Sequence, residues 1–225
     1  MNAKARAARW VAWLDTIWND VIPMMAARQI WRGYMHLVRA NPPVQAPDTF
    51  HSWVTSNYVR TQAIGIRRQT DNRTDVVSLG RLLAEVEQFP GVVSRSRYVA
   101  NYSTANLDWA NRDFDTLVGA GRDHLDPADV ARDRARLDDS AQSVRHWVDK
   151  QVAHWDHGTF TDTITLTQIH TALEDVVSLA DRYRNLLTAT ATARWVSLTA
   201  WERIFTRGAW QVPPEWNRDE PQPVE

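Results

Sequence analysis

The chain has no cysteine at any of its 225 positions. That absence removes disulfide frameworks, thiolate metal sites and cysteine nucleophiles together, and it fits a reducing compartment. Glycine is scarce as well, with eight residues, mostly isolated. There is accordingly no glycine-rich phosphate loop, dinucleotide fingerprint or nucleophile elbow. No uncharged apolar run approaches the length that spans a bilayer. The segment from Met1 to Trp18 is amphipathic and lacks the continuous apolar stretch and small-residue cleavage site of a secretory leader. A cytoplasmic protein without membrane association is the expectation. An excess of one charge sign is also missing: the formal net charge is -1, so bulk attraction to nucleic acid is not indicated. The balance is uneven along the chain, because residues 1–40 carry six Lys or Arg against two Asp, while residues 108–139 carry five Arg against nine Asp. A local basic surface is compatible with that asymmetry.

What the chain has in abundance is tryptophan, with twelve residues. Each indole brings a large apolar area and one N–H that needs an acceptor when buried. Trp10, Trp13, Trp18 and Trp31 fall at helical spacing, which favours core or subunit interface over a surface for stacking RNA bases.

Apolar periodicity predicts an all-α protein, a helical bundle of long amphipathic helices with short connections. Trp10, Trp13, Leu14, Ile17, Trp18 and Val21, then Ile30, Trp31, Tyr34, Leu37 and Val38, predict a helix over 4–40, broken or kinked at Ile22-Pro23. Asp48 is suited to cap a second helix with a stripe of Phe50, Trp53, Val54, Asn57, Tyr58, Thr61 and Ile64, reaching Arg67-Arg68. A third is expected from about Asp75, with Leu79, Leu82, Leu83, Val86 and Phe89 inward and Pro90 as the stop. A helix over 106–119 closes at Gly119 or Gly121. Asp126-Pro127 is a cap followed by proline at the first helical position, and it opens a long helix expected to end near Gly158. Thr159 to Leu166 suits a short extended piece. Thr165 and Gln168 match a capping box ahead of Leu166, Ile169, Leu173, Val176, Val177, Ala180, Tyr183 and Leu187. A short helix near 199–207 follows. Residues 1–211 are expected to form a single domain and residues 212–225 a proline-rich acidic tail.

Two groups of residues carry chemistry. In a helix, Lys150 and His154 lie one turn apart on one face, with Trp147 beside them. A histidine exchanges protons near neutral pH and a neighbouring cation holds phosphate, which is the pair that metal-free RNA cleavage needs. The same residues equally suit a helix C-terminus, where imidazolium complements the dipole. The second group is Arg67, Arg68 and Asp71: two guanidinia suited to phosphate, or else an internal ion pair between Arg68 and Asp71. His154, Asp156 and His157, with His146 or His170, are metal-ligand types, but their spacing lacks the register of a zinc-protease helix. No metal and no cofactor is expected.

Four segments occur in a fixed order: Trp31-Arg32-Gly33-Tyr34-Met35, Gly65-Ile66-Arg67-Arg68-Gln69-Thr70-Asp71, Ser78-Leu79-Gly80-Arg81-Leu82-Leu83, and Asp149-Lys150 with Ala153-His154. Together they resemble the abortive-infection U branch of the HEPN superfamily, over roughly residues 28 to 190. The resemblance implies an all-helical, usually dimeric fold and, for many members, ribonuclease or toxin activity in prokaryotic defence and toxin–antitoxin systems. The superfamily's active motif is an Arg, a polar residue and then a His, and His154 matches the His. Arg145 stands too far upstream for the Arg and Lys150 stands nearer, while Asp156 occupies the place where tyrosine-regulated members carry Tyr. The implied catalytic residues are therefore His154 and Lys150, with Arg67, Arg68 or Arg145 as phosphate or RNA ligands. The implied partners are RNA or a nucleotide, a second copy of the chain and an antitoxin protein. The alternative is a non-catalytic HEPN scaffold that binds a nucleotide, RNA or a nucleotidyltransferase-type partner.

Overall fold

The computed structural model describes residues 1–41, 49–151 and 163–190. These form seven α-helices: α1 (Ala3–Ala40), α2 (Thr49–Gln69), α3 (Leu79–Gln88), α4 (Arg95–Val99), α5 (Leu107–Val118), α6 (Pro127–Gln151) and α7 (Leu166–Thr188). Among the described residues there is no strand, only an isolated bridge between Ser94 and His124. No described helix is long and apolar enough to cross a membrane.

The four long helices α1, α2, α6 and α7 pack on one another, with α3 laid against α6 and α1 and the α4–α5 pair against α7. α1 and α2 run antiparallel, since Tyr34 meets His51 at one end, Met24 meets Gln62 in the middle and Asp20 meets Arg68 at the other. α7 also opposes α1, with Arg28 paired to Glu174 and Arg184 lying over Trp18. The core follows the helical stripes: Trp10, Leu14, Ile17, Trp18 and Val21 from α1, Val130, Leu137, Ala141, Val144 and Val148 from α6, and Ile169, Leu173, Val176, Ala180 and Tyr183 from α7 are all buried. α3 contributes Leu79, Leu82, Leu83 and Val86, each worth roughly 2 kcal/mol relative to exposure.

Helix ends follow local chemistry. Thr165 and Gln168 form a reciprocal capping box on α7, and the Asp126 carboxylate accepts from the Ala128 N–H ahead of α6 at 2.8 Å. Gly119 closes α5 with φ +111°, a conformation that costs glycine little.

Four expectations are corrected. α1 is one helix through Pro23; the proline is exposed, so water can serve the carbonyl it leaves without a donor. α3 begins at Leu79 rather than near Asp75, because the Ser78 hydroxyl is the cap, accepting from the Arg81 N–H at 3.1 Å. Phe89 is 40% exposed, its ring covered instead by the Arg6 guanidinium. The stripe assigned to α2 is largely its outer face: of its members Tyr58 is buried, but Phe50, Trp53, Asn57, Thr61 and Ile64 are exposed, whereas Gln62, Ala63, Gly65, Ile66 and Gln69 are buried. Small residues and amides line the inner side because α2 approaches α1 closely there. A Cβ added to Gly65 would lie 2.6 Å from the Met24 sulfur, and buried Gln62 donates to the Met24 carbonyl at 3.0 Å. Residues 152–162, which hold the end expected for α6 and half of the extended piece, lie outside the described residues, as do Asp48, the helix near 199–207 and the tail; residues 163–165 form no strand and Leu166 already belongs to α7.

Candidate functional site

The segment Gly65 to Asp71 ends α2 and carries three successive polar side chains that go three ways. Arg67 turns to α6, donating from Nε to the Asp149 carboxylate at 3.0 Å, and also reaches Asp71 at 3.5 Å. Arg68 turns to α1, where both its Nε and its Nη2 engage Asp20, at 3.0 and 2.5 Å. Gln69 is buried between them. Its amide donates to Asp20 at 2.7 Å, while its carbonyl oxygen accepts the Leu79 N–H at the start of α3. The Ser78 hydroxyl donates to the Asp71 carbonyl, and Gly80 comes so close to the Thr70 carbonyl that an added Cβ would lie at 3.0 Å. The resulting knot ties α1, α2, α3 and α6 together. The expected pair between Arg68 and Asp71 is thereby corrected: at the end of α2, Arg67 faces Asp71 and Arg68 faces the opposite helix.

Asp71 is at once carboxylate and anchor. Burial pushes its carboxyl up, but the Arg73 N–H and the charges of Arg73 and Arg67 outweigh burial and hold it below the usual range.

Of the residues singled out by sequence, Lys150 stands in the last turn of α6, next in sequence to Asp149, the acceptor for Arg67. Arg145, on the same helix, donates to Asp138 at 2.7 Å two turns earlier. His154, Asp156 and His157 lie outside the described residues. The structure thus brings Arg67 to the turn of Lys150 and directs Arg68 and Arg145 to carboxylates elsewhere. Among the described residues no three potential metal ligands converge.

Two participants escaped sequence reasoning. Asp20 lies 48 positions from Arg68, beyond any local pattern, and its one signal is an acidic residue beside the buried stripe of α1. Asp149 belongs to a segment already singled out, but as a neighbour of Lys150 rather than as the acceptor for Arg67.

The seven helices are consistent with an all-α fold of the HEPN type. A family model described as HEPN_AbiU2 matches residues 9–202, so the chain belongs to the AbiU2 family of HEPN proteins, a family named for abortive infection. No curated protein and no solved structure matches it.

Proposed function

We propose that this protein acts in abortive-infection defence as a dimeric, metal-independent endoribonuclease, with His154 and Lys150 as its catalytic residues and Arg67 completing the cationic site. The observation that supports the reading is the Arg67–Asp149 pair. It holds a guanidinium at the turn of α6 that carries Lys150, the kind of charge that the distant Arg145 does not supply. In the reaction, His154 takes the proton of an RNA 2′-hydroxyl as O2′ bonds to phosphorus. The P–O5′ bond breaks, the leaving oxygen takes a proton, and the products are a 2′,3′-cyclic phosphate and a 5′-hydroxyl. Lys150 and Arg67 offset the charge that grows on the phosphoryl oxygens, where fixed donors act most strongly.

One observation favours the second reading, a non-catalytic scaffold for RNA, a nucleotide or a partner protein: Arg67, Arg68 and Arg145 each already face a carboxylate of this chain. The purified full chain, incubated with total RNA and a chelator, separates the two. Cleavage leaving cyclic-phosphate ends, reduced about a hundredfold or more in His154→Ala and clearly reduced in Lys150→Ala and Arg67→Ala, is expected. A folded wild-type protein that cuts no RNA, alone or on expression in cells, leaves the scaffold.

A further inference from the structure

A second group of charged and aromatic side chains gathers where α1, α2 and α7 meet, built on the Trp31-Arg32 pair. Trp31 stacks on Tyr58 with ring centroids 4.8 Å apart and planes 9° from parallel, and His170 of α7 stands edge-on to both rings. The Tyr58 hydroxyl and His170 Nε2 are 2.9 Å apart. Arg28 and Arg32, one turn apart on α1, flank the group. Arg28 pairs with Glu174 of α7, whereas exposed Arg32 makes no ion pair or hydrogen bond among the described residues.

The protonation pattern follows from the surroundings. Burial pushes the Tyr58 hydroxyl up to about 12 against the pull of Arg28 and Arg32. Burial, then the charges of Arg28 and Arg32, push His170 down despite Glu174. In the tautomer where Tyr58 donates to Nε2, the ring proton sits on Nδ1, a nitrogen with no partner among the described residues. Arg28 Nε and Trp31 Nε1 are likewise buried without acceptors. The group holds buried donors without acceptors, and two guanidinia against one carboxylate leave it net positive.

We propose that Arg28, Arg32 and His170 form a binding site for a phosphate group, carried by a nucleotide or by the end of an RNA strand, with Glu174 competing for Arg28. One carboxylate serves only one of the two guanidinia. The oxygens of a phosphate can accept from both forks and from the imidazole N–H together. The site is distinct from the α6 end and stands whether or not the chain cuts RNA.

The test measures binding of a 5′-phosphorylated RNA oligonucleotide to the full chain by anisotropy, with the same oligonucleotide bearing a 5′-hydroxyl as control. Arg32 and Glu174 are exposed, so Arg32→Ala and Glu174→Ala are expected to fold, which circular dichroism checks. Arg32→Ala weakens binding of the phosphorylated strand by about tenfold or more. Glu174→Ala tightens it several-fold, an outcome that a merely structural Glu174 would not give. The hydroxyl strand responds to neither. Competition by AMP as effective as by the strand assigns the phosphate to a nucleotide, and competition by the phosphorylated strand alone assigns it to an RNA end. Equal binding of both strands, or wild-type affinity in both Arg32→Ala and Glu174→Ala, overturns the proposal.

Discussion

Two Arg and one Glu meet tryptophan twice along α1, with opposite results. At the α1–α3 seam, Glu85 accepts from Arg9 and Arg81 and, at 2.9 Å, from the Trp10 indole. Trp13 lies between the two guanidinia, each 4.9 Å from its ring. At the α1–α7 seam, Glu174 holds only Arg28 and leaves Arg32 unpaired. The carboxylates differ in solvent access: the Glu85 side chain is 17% exposed and that of Glu174 is 63%. A shielded carboxylate with three donors fastens helices together, because few waters compete for it. An exposed one with a single donor can be displaced by another anion.

The sharpest way to break that contrast is to remove each carboxylate and measure urea unfolding. Glu85→Ala strands two guanidinia and an indole N–H and is expected to cost about 2–3 kcal/mol, below the full range for a wholly buried pair because Arg9 is partly solvated. Glu174→Ala is expected to cost about 1 kcal/mol, because it strands one largely buried guanidinium rather than three donors and the carboxylate itself is exposed. Equal costs would erase the distinction. Acid sharpens it further. Burial pushes the Glu85 carboxyl up, but the bonds from Trp10, Arg9 and Arg81 outweigh burial and hold it below the usual glutamate range. A folded value below the unfolded one means the contribution is complete above about pH 4.3 and is lost as pH falls through the depressed value. The gap between wild type and Glu85→Gln should therefore be full at about pH 6 and close below about pH 4.

The closed side of the molecule was the more legible in sequence. The stripes of α6 and α7, the Thr165 box and the Asp126-Pro127 start were all visible because helical period and caps are local properties. α2 was not. Phe50 and Trp53 face outward, and its inner side mixes Tyr58 and Ile66 with Gly65, Ala63 and two glutamines, which blur the hydrophobic signal. Arg67 and Arg68 stood out as a pair, yet their partners Asp149 and Asp20 come from other helices and depended on packing that no local pattern encodes. The Trp31-Arg32 segment is visible in the sequence, but Tyr58 falls in an apolar stripe and His170 stands on a distant helix, so their meeting likewise depends on packing.

A smaller effect tests how tightly the closed side is built. At Gly80, a methyl group would press on the Thr70 and Asp71 carbonyls, which are backbone and cannot swing away. At Gly65 it would meet the end of the Met24 side chain, which can change rotamer. Both positions are helical, where alanine gains up to about 1 kcal/mol over glycine. Gly80→Ala should still lose about 1–2 kcal/mol, while Gly65→Ala should fall within about 1 kcal/mol of the wild type. Equal losses at the two positions would mean that Met24 is as fixed as the backbone.

A small change in stability is expected at the α6 end. The Arg67–Asp149 pair is solvated on both sides, so Asp149→Ala should cost less than about 1 kcal/mol. Its effect on RNA cleavage should be out of proportion to that cost if Asp149 positions Arg67 beside Lys150: a loss of about tenfold, with part of it recovered in Asp149→Asn, whose amide oxygen still accepts from Arg67 Nε. Cleavage unchanged in Asp149→Ala would remove Asp149 from that role and leave the α6 end dependent on Lys150 alone for fixed charge, while an equal loss in Asp149→Ala and Asp149→Asn would point to the carboxylate's charge rather than its hold on the guanidinium.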